Sequence, residues 1–273
     1  MRIQVYLFFL AILLTGCEKE LISDHKFDEQ YAGYSGKDSV SSNVIFSISE
    51  TYDNSYEVDT PKLRLNIRTT EIYSCMNFEL ACSEYNSDNT LIIRFNGITH
   101  SDICLTALGP AQFNTRILEN INTLILINGQ TIDGYILKIT KEKVDITPVE
   151  SSFTKPEYTR YYRYPENSFA YLCGTNSDNQ YIYEEFLDTL LTGVELREFV
   201  FGSNGVLPYP ESSNGYWNDP PAKYFLYSLE TDFDKAGEIL KAYTDNNLSY
   251  GDGTTISLIG WNNKNFRSWL KKK

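Results

Sequence analysis

Apolar and polar residues alternate along much of the chain between Val44 and Val149. The clearest runs are Leu63-Arg64-Leu65-Asn66-Ile67-Arg68, Tyr73 to Leu80, Leu91 to Phe95, Ile103 to Leu108, Leu124 to Ile127 and Tyr135 to Ile139. Alternation puts every second side chain on one face of a pleated strand, so each run is expected to be a half-buried strand. Turn signals stand between them: Asn86-Ser87-Asp88-Asn89, Asn96-Gly97, Gly109-Pro110, Asn128-Gly129 and Asp133-Gly134. Short strands at this spacing, with no helical run among them, predict an all-β sandwich of immunoglobulin-like type over residues 44–149.

The pattern changes after Thr147-Pro148-Val149-Glu150-Ser151-Ser152. Phe169 to Cys173 is expected to be a strand. Tyr181 to Leu191 then carries Ile182, Phe186, Leu187, Leu190 and Leu191 on one helical face, with Gly193 as a stop and Ser177, Asp178 or Asn179 as alternative caps. Strands follow at Val194–Phe201 and Tyr224–Leu229. Thr231 is expected to cap a second helix that aligns Phe233, Ala236, Ile239, Leu240 and Tyr243, and Thr255–Trp261 is the last strand. Strand, helix, strand, strand, helix, strand is the order of a ferredoxin-like domain, expected over residues 150–273. The whole is therefore expected to be α+β.

Ahead of both regions, Arg2 precedes an apolar run, Ile3 to Leu14, too short to span a bilayer and laid out as a secretory signal over residues 1–16. Leu14-Thr15-Gly16-Cys17 resembles the lipobox of bacterial lipoproteins, which implies that Cys17 is acylated and becomes the first residue of the mature chain. Glu18-Lys19-Glu20 is similar to the acidic export signal of Bacteroidota surface lipoproteins. That resemblance implies an outer-membrane anchor facing the cell exterior, with the periplasm-facing orientation as the alternative. Residues 17–43 are polar and are expected to form a flexible tether, reaching about 25 to 30 Å on average. Within it, Asp38-Ser39-Val40 resembles the O-glycosylation pattern of the same phylum and marks Ser39, otherwise a plain linker serine. Gly33-Tyr34-Ser35-Gly36-Lys37 is not a phosphate loop, because Tyr31 stands where the first glycine is needed and Asp38 follows the lysine.

Apart from Cys17, the cysteines are Cys75, Cys82, Cys104 and Cys173. Export permits pairing, and four cysteines allow three connectivities. A Cys75–Cys104 disulfide between two strands of the first domain is favoured. Cys75 and Cys82 along one extended strand would be roughly 23 Å apart, beyond the limit near 7 Å. Only His25 and His100 are available to complete a metal site, and neither stands at ligand spacing, so no metal or other cofactor is expected. Tyr73-Ser74-Cys75 and Cys104-Leu105-Thr106-Ala107-Leu108-Gly109-Pro110-Ala111 together resemble a module recurring in Bacteroidota lipoproteins. The resemblance transfers no catalytic residue.

The net charge is -12, which disfavours nucleic acid and anionic lipid surfaces as partners of the folded part and leaves the lipid anchor as its link to the membrane. Residues 202–223 form a loop far longer than a hairpin connection and rich in Gly, Pro, Ser and Asn. Its Tyr209, Tyr216 and Trp217 are candidate contacts for a glycan or a protein; the alternative is that they fold back as a cover over the open sheet face. Tyr158 to Pro165 interleaves Arg and Tyr and is expected to pack where the domains meet, with Arg stacked on Tyr, while Trp261 and Trp269 are expected to pack in the core and at the terminus. The signatures Gly-x-Ser-x-Gly, His-Glu-x-x-His, the dinucleotide fingerprint and the calcium loop do not occur. The expected role is thus a non-catalytic surface binding module. A secreted hydrolase of glycans or proteins and an accessory subunit of an outer-membrane complex are the alternatives.

Overall fold

The structure, a computed structural model, describes residues 26–55, 57–100, 104, 106–249 and 251–269. The signal segment and Cys17 lie outside the described residues. In chain order come α1 (Lys26–Tyr31), β1 (Val44–Thr51), β2 (Lys62–Tyr73), β3 (Phe78–Ser87), β4 (Thr90–His100), β5 (Gly109–Arg116), β6 (Thr123–Asn128), β7 (Thr131–Ile139), β8 (Lys143–Glu150), β9 (Thr154–Pro156) and β10 (Arg160–Tyr162).

These ten strands make one sheet, ordered β10-β8-β7-β6-β4-β3-β5-β2-β1-β9. Its two edges, β9 and β10, are consecutive in sequence, so the sheet curls until they nearly meet. The link between them is held to both walls: the Glu157 N–H donates to the Phe46 carbonyl of β1 and the Ile146 N–H of β8 to the Thr159 carbonyl. Alternation fills the interior: Val44, Phe46 and Ile48 face Leu63, Leu65 and Ile67 and the far wall, where the Tyr135 ring lies 4.8 Å from that of Phe46. Burying each of the aliphatic side chains stabilises the fold by about 1.5–3 kcal/mol.

Three expectations for this region change. A sandwich of immunoglobulin type has two sheets, whereas here the ladder is unbroken and includes parallel pairs, β1 with β9, β3 with β5 and β4 with β6. The first unit also continues past residue 149, because β9 and β10 belong to its sheet. Lastly, Asn96-Gly97 and Asp133-Gly134 are not turns: each lies inside a strand at a register shift, and Gly97 takes φ 139° there. A bulge needs the same permissive residue that a turn does.

The expected tether is also corrected for residues 26–43. Phe27, Tyr31 and Tyr34 pack with Tyr85 and with Ile92, Ile125 and Ile132 on the outside of the curled sheet. A Cβ on Gly134 would come within 2.6 Å of the Phe27 ring, so glycine there makes room for the strap. Val40 enters the main core, and Asn128 holds its backbone with two hydrogen bonds of 2.8 and 2.9 Å.

The second unit comprises β11 (Ser168–Gly174), α2 (Ile182–Gly193), β12 (Arg197–Phe199), β13 (Lys223–Leu226), α3 (Glu230–Asn247), β14 (Thr255–Gly260) and β15 (Asn265–Arg267). The sheet runs β12-β13-β11-β14-β15, with every pair antiparallel. Both helices cover one face, where Phe169, Tyr171, Ile256 and Leu258 meet Phe186, Leu190, Phe233 and Leu240. Thr231 is not the cap of α3. That helix begins at Glu230, and the Asp232 carboxylate accepts from the Leu229 N–H at 2.8 Å. The class is α+β. Among the described residues, no helix is long and apolar enough to cross a membrane.

A disulfide joins Cys75 and Cys104, with Cα atoms 5.3 Å apart. Both cysteines lie just past strand ends, after β2 and after β4, rather than within strands. The bridge closes a loop of 29-residue separation, worth about 3–4 kcal/mol by chain entropy. Reduction, or Cys75→Ser, is expected to lower the unfolding free energy by about that amount; denaturant titration with and without reductant measures it.

Candidate binding groove on the open sheet face

Because side chains alternate, the face of the second sheet away from its helices presents Ser168, Ala170 and Leu172 from β11 and Thr255, Ser257 and Ile259 from β14. The long loop after β12 returns over this face. Its anchor is Tyr209, which is 3 % exposed. The Tyr209 ring stacks on Tyr224 at 5.8 Å and meets Tyr164 edge-on at 4.7 Å, and its hydroxyl bonds the Ser168 hydroxyl at 2.8 Å. Burial pushes this phenol well above its ordinary pKa. Tyr209 is therefore part of the cover that the loop makes over this face, the alternative to a ligand contact, and it does not line the groove described below.

The distal part of the loop is held open against the sheet. Thr175 and Asn218 exchange backbone hydrogen bonds of 2.9 Å each, Asp219 accepts from the Ser213 N–H at 2.9 Å, and Asn214 and Gly215 turn the chain with φ 54° and 100°. Tyr216 can lie flat on β11 because residue 174 is glycine: a Cβ there would come within 2.6 Å of Tyr216 Cγ. The result is a groove of about 670 Å³. Leu172, Thr255, Ser257 and Ile259 form its floor, and residues 210–216 its wall. Tyr216 lines it; Trp217, 93 % exposed, stands beside it in sequence at the surface.

Two lining residues were not anticipated from sequence. Arg267, on the edge strand β15, is brought opposite Ser257 by strand pairing. Trp269 is half-exposed rather than packed, and its ring lies 5.6 Å from the Arg267 guanidinium carbon. Aromatic surface, hydroxyl groups and one cation thus meet in a single concave site.

A second cleft, of about 790 Å³, lies where the two units meet. Tyr162, Phe199, Phe201 and Trp261 line it together with Glu50, Glu119 and Arg163. The arginines of residues 158–165 are paired with carboxylates, not stacked on tyrosines: Arg160 bonds Asp145 at 2.5 Å. Arg163 reaches Glu50 at 2.9 Å and grips both oxygens of Glu119 at 2.7 and 2.8 Å. The other Glu50 oxygen accepts from the Tyr164 N–H at 2.7 Å. Both carboxylates are engaged by Arg163, and with the Arg163 bonds to the Thr140 and Glu142 carbonyls they fix the segment after β10 to the first sheet.

The remaining candidates are dispersed. Burial pushes the Cys82 thiol up to about 12 and the Cys173 thiol up to about 11, so both stay protonated at neutral pH and are poor nucleophiles. Ser39 is exposed, while Val40 beside it is fixed in the core. Among the described residues, no group of three or more His, Cys, Asp or Glu is placed to hold a metal ion. Compared with protein-family models, with curated proteins and with solved structures, the chain matches none of them.

Proposed function

We propose that this chain is a lipid-anchored, non-catalytic binding module that presents the groove beside Tyr216 to a glycan at the outer surface of the outer membrane. The single observation carrying the ligand class is the composition of that groove: Tyr216 and Trp269 supply flat apolar surface, while Ser212, Ser213, Thr255 and Ser257 supply hydroxyls. Stacked rings flanked by short hydroxyl side chains match the alternating apolar faces and hydroxyl edges of sugars.

The anchor rests on the resemblance at Leu14 to Cys17. Lys26, the first described residue, stands nine positions after Cys17, so covalent geometry limits the body to at most roughly 30 Å from an acylated sulfur. Ser39 is accessible for the O-glycosylation its neighbours resemble. For the finer architecture, the order β12-β13-β11-β14 with both helices on one face supports a ferredoxin-like second unit, extended by β15. The immunoglobulin-like description keeps support only in that opposing walls of one curled sheet pack face to face.

Replacing Tyr216 and Trp217 together by alanine is expected to weaken glycan retention by about tenfold or more, as loss of aromatic anchors does. Stability should change little, since Trp217 is almost fully exposed. A glycan array read beside thermal melts decides it: retained binding by the double variant would remove this loop from the site.

A further inference from the structure

We infer that the groove selects an acidic glycan, one whose sugar units carry carboxylates, and that Arg267 reads the charge. This rests on the glycan reading above and adds the ligand's sign. The chain holds 36 Asp and Glu against 24 Lys and Arg, yet among the described residues none that is acidic lines this groove. Its one charged lining residue is a cation. A site stripped of carboxylates in so acidic a protein is where an anionic ligand meets least repulsion.

The state of Arg267 supports the same conclusion. Its guanidinium makes no ion pair among the described residues, unlike Arg64, Arg68, Arg160 and Arg163; Arg94, Arg116 and Arg197 are likewise without one, and of these four Arg267 is the one that lines the groove. What it has is the ring of Trp269, 5.6 Å away. An arginine resting on an aromatic face is steadied in orientation while its N–H donors, which lie in the guanidinium plane, remain free for a two-pronged bond to a carboxylate. The Ser257 side chain, 8 % exposed on the adjacent strand, lies on the groove floor within the same site. Sugar ring on Tyr216 or Trp269, hydroxyls to serines and carboxylate to Arg267 is an arrangement that the neutral counterpart of the same sugar fills only in part.

The test uses the purified protein and five probes: hexamers of galacturonate and of glucuronate, each beside its carboxyl-reduced neutral counterpart, and hexaglutamate as an acidic non-sugar. Calorimetric titration is expected to give at least one uronate hexamer about tenfold or more tighter binding than its neutral counterpart, and that preference should shrink as salt is raised. Arg267→Gln should bring acid and neutral forms to equal affinity without weakening the neutral one; Arg267→Lys should keep part of the preference. Equal affinity for acid and neutral sugars in the unaltered protein would overturn the charge selection and leave the glycan reading standing. If none of the four sugars binds, both fall. Hexaglutamate binding as tightly as the uronates would overturn the sugar and leave only an anion site.

Discussion

Arg163→Ala is expected to cost about 3–5 kcal/mol of unfolding free energy. The reason is Glu50, whose side chain is 3 % exposed and lies within 2.9 Å of Arg163. Without the guanidinium, a carboxylate remains buried with only the Tyr164 N–H as donor. Glu119, 65 % exposed, makes an equally close pair with the same arginine, yet Glu119→Ala should cost under about 1 kcal/mol because water already screens it. Chemical denaturation of the two variants separates the cases. Equal, small losses would mean that Glu50 does not depend on Arg163 for its compensation.

A comparable loss is expected from Asp133→Ala. Asp133 is fully buried in β7, and its carboxylate accepts the N–H groups of Ser152, Phe153 and Thr154 at 2.7, 3.0 and 2.7 Å, and the Thr154 hydroxyl at 2.6 Å. Each buried donor left without an acceptor costs about 1–3 kcal/mol, so the loss should exceed about 3 kcal/mol. Asp133→Asn should cost less, because the amide oxygen can take the Oδ2 position and accept its three donors, leaving only the Ser152 N–H opposed by the NH₂. These bonds set the turn that delivers β9 to the edge of β1, and Tyr135 holds the same turn through Thr154. Hydrogen exchange should therefore rise first at Ser152, Phe153 and Thr154. A variant that keeps those amides protected would show that the turn is held by something else.

Strands with regular alternation were legible from sequence: 63–68, 91–95, 124–127 and 135–139 all fall within strands. What could not be read was how glycine is used. Asn128-Gly129 is a hairpin turn and Asn96-Gly97 a bulge, and the dipeptide supplies the same backbone freedom for either, whereas Gly134 has no positive φ, faces the skipped Val149 of β8 and is small to admit Phe27. β5 begins at Gly109-Pro110, two residues that signal a turn. Pro110 is tolerated because it pairs with Ile72 where the β2 register shifts. The strap was readable in principle, since Phe27, Tyr31 and Tyr34 recur at helical spacing, but three rings in a polar stretch do not stand out until Gly134 opposite them is known. In the groove, the length of the loop pointed to Tyr216. Arg267 and Trp269 were missed because β15 is only three residues long, too short to show alternation, although it follows β14 through a short hairpin.

The three tryptophans give the most direct test of where a ligand sits. Trp269 lines the groove, Trp217 follows its wall, and Trp261 lines the junction cleft with its indole N–H bonded to the Tyr227 hydroxyl at 3.1 Å. Nitrogen-15 labelling of the indoles gives one N–H signal for each, assignable by single substitutions, and a glycan titration followed on these signals reports both cavities at once. The proposed site predicts that the Trp269 signal shifts on binding, with Trp217 following and Trp261 unmoved. A shift confined to Trp261, or saturation with no change at Trp269, would contradict it.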